Sequence, residues 1–135
     1  MSEWIMLVPS FVFTKIKTEF SNDIKTRLSM TGENFSAVDS TNKKAVFPFV
    51  HVHSLTASEK GQDLEGNTIN AGLFTFQIDV IDNKTQNRSR EVMSEIVRIM
   101  KTMRFEIVAM PEFSSDGTHR CVARFRRMIG SSDVL

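Results

Sequence analysis

The residues from Gly72 to Met110 change hydrophobic period once, and that change limits what the chain can fold into. Phe74, Phe76, Ile78 and Val80 alternate with Thr75, Gln77 and Asp79, the period-2 pattern of a strand with one buried and one polar face. Beyond a short polar hinge, Val92, Met93, Ile96, Val97, Ile99, Met100 and Met103 recur at helical spacing. At 100° per residue they fill an arc of roughly 160°. The spacing predicts a helix over 86–104 lying on the sheet that contains the strand at 73–82. Arg90, Glu91, Ser94, Glu95, Arg98, Lys101 and Thr102 fill the opposite arc, and Glu95 and Arg98 read as a weak surface pair three residues apart.

A chain of 135 residues makes one domain with one core. No apolar run approaches the roughly 20 residues of a membrane span. The opening Met-Ser-Glu-Trp-Ile-Met-Leu-Val-Pro carries an acidic residue where a secretory signal has basic ones, and its apolar run is short, so the chain is expected to stay where it is made. A formal charge of +1 gives no overall attraction to nucleic acid or anionic lipid, so such binding would need a local patch. Cys121 is the only cysteine, which excludes an intrachain disulfide and fits a reducing interior.

Before this centre, Ser10 is placed to cap a helix over 11–28, with Val12, Phe13, Ile16, Phe20, Ile24 and Leu28 on one side. Residues 29–44 are polar and read as a loop, with room for one short strand near Phe35 to Asp39. Strong β formers after Pro48 predict a strand over 47–55. The charged stretch 56–71 is far longer than the two to five residues of an ordinary hairpin loop, which suggests that it reaches a partner. Phe105 to Met110 reads as a short strand closed by Pro111, and Ser-Ser-Asp-Gly as the turn into a returning strand at 119–128. Residues 129–135 form a tail. The expected fold is α+β in the order α-β-β-α-β-β, an antiparallel or mixed four-stranded sheet with both helices packed on one face.

Few residues suggest chemistry. His51 and His53 project from one strand face about 7 Å apart and could join a metal site if further ligands converged, but spacing signals no third ligand. Cys121, between Arg120 and Val122, reads as a buried structural thiol, not a nucleophile. No Gly-rich phosphate loop, catalytic triad or paired carboxylate is present, so catalysis has no support, and neither a cofactor nor a metal is implied. Arg120, Arg124 and Arg126 share one strand face, with Arg127 on the other. Such a row can contact phosphates, but pairing with acidic residues of a neighbouring subunit, such as those of the 59–65 stretch, is the better use of guanidinium forks.

Several of these segments together resemble one family. They are Phe-Pro-Phe-Val-His-Val at 47–52, Asp63-Leu64-Glu65-Gly66, Phe-Gln-Ile-Asp-Val at 76–80, the amphipathic helix, and a closing basic strand with Arg120 and Arg124-Phe-Arg126. In this order, from Val46 to Gly130, the chain resembles the small tail-terminator or tail-completion proteins of long-tailed bacteriophages and prophages. Each motif is a pattern of residue types, not a chemical signature. The resemblance implies a non-enzymatic structural protein of the virion head-tail junction, assembled in the host cytoplasm. Its subunits would form a homo-oligomeric ring, hexameric in the family, on the head-proximal end of the tail tube, stopping tube growth and presenting the surface that joins the head. The implied partners are the major tail tube protein and a neck or head-completion protein, with DNA only passing through the ring and no membrane. Gln62, Asp63, Leu64 and Glu65 are the expected contact loop. Arg120, Arg124, Arg126, Thr75, Gln77 and Asp79 are the expected contact or lumen residues. A neck adaptor and a nucleic-acid-binding domain using the arginine strand are the alternatives.

Overall fold

A computed structural model describes residues 4–37, 46–55, 58–60, 71–115, 118–130 and 133. The elements in chain order are α1 (Trp4–Glu19), α2 (Asn22–Arg27), a 3-10 turn (Gly32–Asn34), β1 (Phe35–Ser36), β2 (Phe49–Ser54), β3 (Ser58–Lys60), β4 (Ala71–Asp82), α3 (Gln86–Thr102), β5 (Glu106–Ser115) and β6 (His119–Gly130). The fold is α+β with a mixed sheet, in the order β1-β2-β4-β6-β5, and β3 pairs with the start of β4. Among the described strands only β1 and β2 run parallel. The expected four strands are all present. The two additional ones are short, and β3 falls inside the stretch expected to be loop.

β4 is the central strand because its alternation serves two neighbours at once. Val80, Ile78 and Phe76 lie opposite Val50, Val52 and Ser54 of β2 on one edge, and opposite Cys121, Ala123 and Phe125 of β6 on the other. All of these except Ser54 are buried, so a one-residue slip of either partner would turn an apolar row to water. α3 covers this face with Val92, Met93, Ile96, Ile99, Met100 and Met103. Its start is set by Asp82, fully buried, which accepts the backbone N–H groups of Lys84 and Thr85 at 3.0 Å each. Thr85 then caps the helix by accepting from the Arg88 N–H. α1 lies on the same face, where Val8, Val12, Ile16 and Phe20 join the core cluster and Trp4 stacks at a tilt on Phe74 with centroids 6.2 Å apart. No described helix is long and apolar enough to cross a membrane.

Three boundaries differ from the sequence reading. The N-terminal helix begins ahead of Pro9 and contains it. A proline there removes a backbone hydrogen bond at a cost of about 3 kcal/mol, offset by the burial of Val8 and the packing of Trp4. The same helix does not reach Leu28, because it breaks at Phe20 and restarts after Ser21, whose side chain caps α2. The break lets Phe20 drop into the core edge-on against Phe35, with centroids 5.3 Å apart. β5 runs through Pro111 to Ser115 where the sequence suggested an end. As the outermost strand it needs no donor on its free side, and its register shifts between Ile107 and Ala109 and between Ala109 and Glu112 absorb the irregularity.

One side chain on α3 is misassigned by its place on the helical arc. Glu95 is buried, and its carboxylate accepts Arg98 Nε at 2.8 Å and Nη2 at 2.7 Å, and the Ser21 backbone N–H at 2.8 Å. It therefore ties α3 to the break between α1 and α2 instead of decorating a wet surface.

Candidate functional site

The second face of the sheet carries no described helix. It is built from alternate residues of the central strands: Phe49, His51 and His53 of β2, Thr75, Gln77, Asp79 and Ile81 of β4, and Arg120, Val122, Arg124, Arg126 and Met128 of β6. The cross-strand register sets Asp79 opposite His51 and Val122, Gln77 opposite His53 and Arg124, and Thr75 opposite Arg126. All six residues expected from the sequence at a contact or lumen surface, Thr75, Gln77, Asp79, Arg120, Arg124 and Arg126, thus share this face. Gln62, Asp63, Leu64 and Glu65 lie outside the described residues.

The polar groups form a connected network. Arg120 Nη2 donates to Asp79 Oδ2 at 2.6 Å, and His53 Nε2 lies 3.5 Å from the same oxygen. Gln77 Nε2 donates to Asp79 Oδ1 at 3.2 Å, and its carbonyl accepts Arg124 Nε at 2.9 Å. Asp79 is thereby almost fully covered, at 4% exposure, on a face otherwise open to water. Farther along, Arg126 brings Nε and Nη2 onto one oxygen of Glu106, at 2.8 and 2.7 Å. Each long side chain is held in one direction by its partner, which lowers the entropy lost when a second surface meets it.

The three guanidiniums are not equivalent. Arg120 and Arg126 each face a carboxylate, whereas the hydrogen bond of Arg124 goes to a neutral amide. Beside them the rings of His51 and His53 lie 3.8 Å apart, centroid to centroid. Among the described residues no group of three or more His, Cys, Asp or Glu is arranged to hold a metal ion. Arg120 also occupies the Asp79 oxygen nearest His53. The sequence reading missed Glu106 as the partner of Arg126 and His53 as a neighbour of Asp79. Alternation puts each on a face, but only the register between strands, which no local pattern encodes, brings them together.

Cys121 lies on the helix side, fully buried opposite Val80. Burial pushes its thiol up to about 11, against the smaller opposing effect of the Arg90 charge. Reaction with a thiol-specific reagent at pH 8 is expected to be at least about 100-fold slower in the folded protein than in urea, since nucleophilic attack needs the thiolate. Equal rates would place the thiol outside the core.

A search of protein-family models returns no match to this chain, and a search of curated proteins returns none.

Proposed function

We propose that this protein is a structural subunit of a long-tailed phage or prophage particle, forming a ring that caps the head-proximal end of the tail tube. The observation that supports this reading is the sheet face that carries no described helix, where a row of guanidiniums is already oriented by Asp79, Gln77 and Glu106. A face that is polar and internally paired stays soluble before assembly and still offers Arg124 and the outer edges of Arg120 and Arg126 to a neighbour or to a water-filled lumen. A head-to-tail contact made by such a face closes into a ring when the rotation between subunits closes, and does not run on as a filament. Two of the three arginines are already neutralised, which argues against the row as a nucleic-acid grip. A gel shift with DNA or RNA at low salt is expected to stay empty, because phosphate binding draws on uncompensated cations.

The direct test is negative-stain imaging of the protein mixed with polymerised tail tubes. Capped ends are the expected result, while binding only to portal or connector rings would assign the chain to the neck instead. In the same assay, Asp63→Lys combined with Glu65→Lys should abolish attachment with an unchanged circular dichroism spectrum. Attachment that survives both changes would remove the 62–65 stretch from the contact.

A further inference from the structure

A cavity of about 460 Å³ lies where the end of α2, the approach to β2, the hinge after β4 and the first turn of α3 meet. Three of these stretches each bring a cation to its wall: Arg27 from α2, Lys84 from the hinge and Arg88 from α3. Leu28 and the half-buried Phe47 supply the apolar part of the wall. Among the described residues that line it there is no aspartate or glutamate. Like charges gathered about one concavity add their fields, and the low-dielectric wall focuses them on whatever enters.

The carboxylates that answer two of these cations are not part of that wall. Arg27 Nη2 donates to Glu91, and Asp23 stands 3.9 Å from the same nitrogen. Arg88 is drawn to Asp82, but Nε and Oδ1 stop 3.6 Å apart, beyond hydrogen-bond reach, and both atoms are enclosed without a hydrogen-bond partner. The other oxygen of Asp82 is taken by the N–H groups of Lys84 and Thr85. Those bonds fix the hinge backbone that carries Lys84, whose exposed ammonium has no ion pair among the described residues. The cavity therefore gathers one uncompensated ammonium and one guanidinium that closes no hydrogen bond among the described residues, an arrangement that favours an anion.

We propose that this cavity binds a phosphate monoester with a flat organic part, of the nucleoside monophosphate class. The three terminal oxygens of a monoester match three cationic side chains, two of them guanidiniums suited to phosphate. A carboxylate brings only two oxygens and a single charge. A phosphodiester inside a nucleic-acid strand also has only two free oxygens, so the site is compatible with an empty gel shift. The volume falls in the range of small-molecule pockets, roughly 300–1,000 Å³, and is larger than a bare phosphate fills. Phe47 and Leu28 offer the remaining part of the ligand an apolar surface on which a base can rest. The site does not depend on the ring reading.

Isothermal titration calorimetry with adenosine 5′-monophosphate as the probe tests it. Saturable one-site binding with a Kd below about 1 mM is the expected result. Adenosine, which lacks the phosphate, and inorganic phosphate, which lacks the ring, should each bind at least about tenfold more weakly. Lys84→Ala and Arg27→Gln alter exposed side chains outside the core, so both variants should melt cooperatively near the native temperature. Each should weaken binding of the probe about tenfold. Lys101→Ala, at the opposite end of α3, should leave it unchanged. No saturation by about 5 mM probe overturns the proposal. Adenosine or inorganic phosphate binding as tightly as the nucleotide does the same, and so does a loss in Lys101→Ala equal to that in Lys84→Ala, which would show diffuse charge and no site.

Discussion

Phe76→Ala should remove about 3–5 kcal/mol of stability, a large share of the roughly 5–15 kcal/mol that holds a domain of this size together. Phe76 lies in the central strand, is 1% exposed, and meets Phe105 edge-on with ring centroids 5.6 Å apart. It also faces Phe125 across the β4–β6 ladder. Truncation leaves a cavity bounded by a strand on either side and by α3, and none of these can move in without disturbing the register of the others. Urea unfolding followed by tryptophan fluorescence measures the loss, since Trp4 rests on the neighbouring Phe74. The midpoint should fall with the m-value unchanged. A loss below about 1 kcal/mol would mean that the site collapses freely, and β4 would not be the packed centre described.

The second large effect belongs to Glu95. Replacement by alanine should cost about 1.5–3 kcal/mol, the range for hydrogen bonds to a charged group, because the Ser21 backbone N–H and the Arg98 fork lose their acceptor together. The Arg98 hydrogen bonds hold the Glu95 carboxyl below its ordinary value of 4.5, against the opposing effect of burial. A carboxyl with a depressed folded-state value binds its proton more readily in the unfolded chain. Its contribution is therefore complete above about pH 4.5 and is lost as the pH falls through the lower, folded value. Between pH 7 and pH 3 the native protein should lose more stability than Glu95→Gln, and the difference should develop below about pH 4.5. Parallel curves for the two proteins would show that Glu95 does not titrate in a coupled way with folding.

The centre of the fold was legible because two periods meet there without ambiguity. Phe74 to Val80 can bury one face only as a strand, and Val92 to Met103 only as a helix. What the chain concealed depends on contacts between distant segments. Phe20, Ile24 and Leu28 continue the stripe of Val12 and Ile16 and so mask the break; the cap at Ser21 is local, but the contact that holds the break against α3 is with Glu95, 74 residues away, which accepts the Ser21 N–H. The same contact explains why an acidic residue on the nominally wet arc of α3 is buried. Pro9 and Pro111 both read as boundaries, yet one is absorbed by packing and the other by an outer strand with shifted register. At the open face, alternation sorted Arg120, Arg124 and Arg126 from Arg127, and Thr75, Gln77 and Asp79 from the phenylalanines. Their pairing partners followed only from the alignment of β4 with β2, β6 and, through β6, β5.

The central place of β4 also has a consequence for the order in which the protein can be made. One edge of β4 is matched by β2, which precedes it in the chain, and the other by β6, which begins at His119, well after β4 ends at Asp82. At bacterial or eukaryotic rates of about 5–20 residues per second, a growing chain carries the unpaired edge of β4 for several seconds before β6 leaves the ribosome. α3 emerges in that interval and can cover the apolar face, but it cannot occupy the edge. The nascent chain thus passes through a stage with its greasiest strand half paired, and the closing hairpin, bulged along its outer side, completes the sheet while leaving behind an edge that is a poor template for another strand.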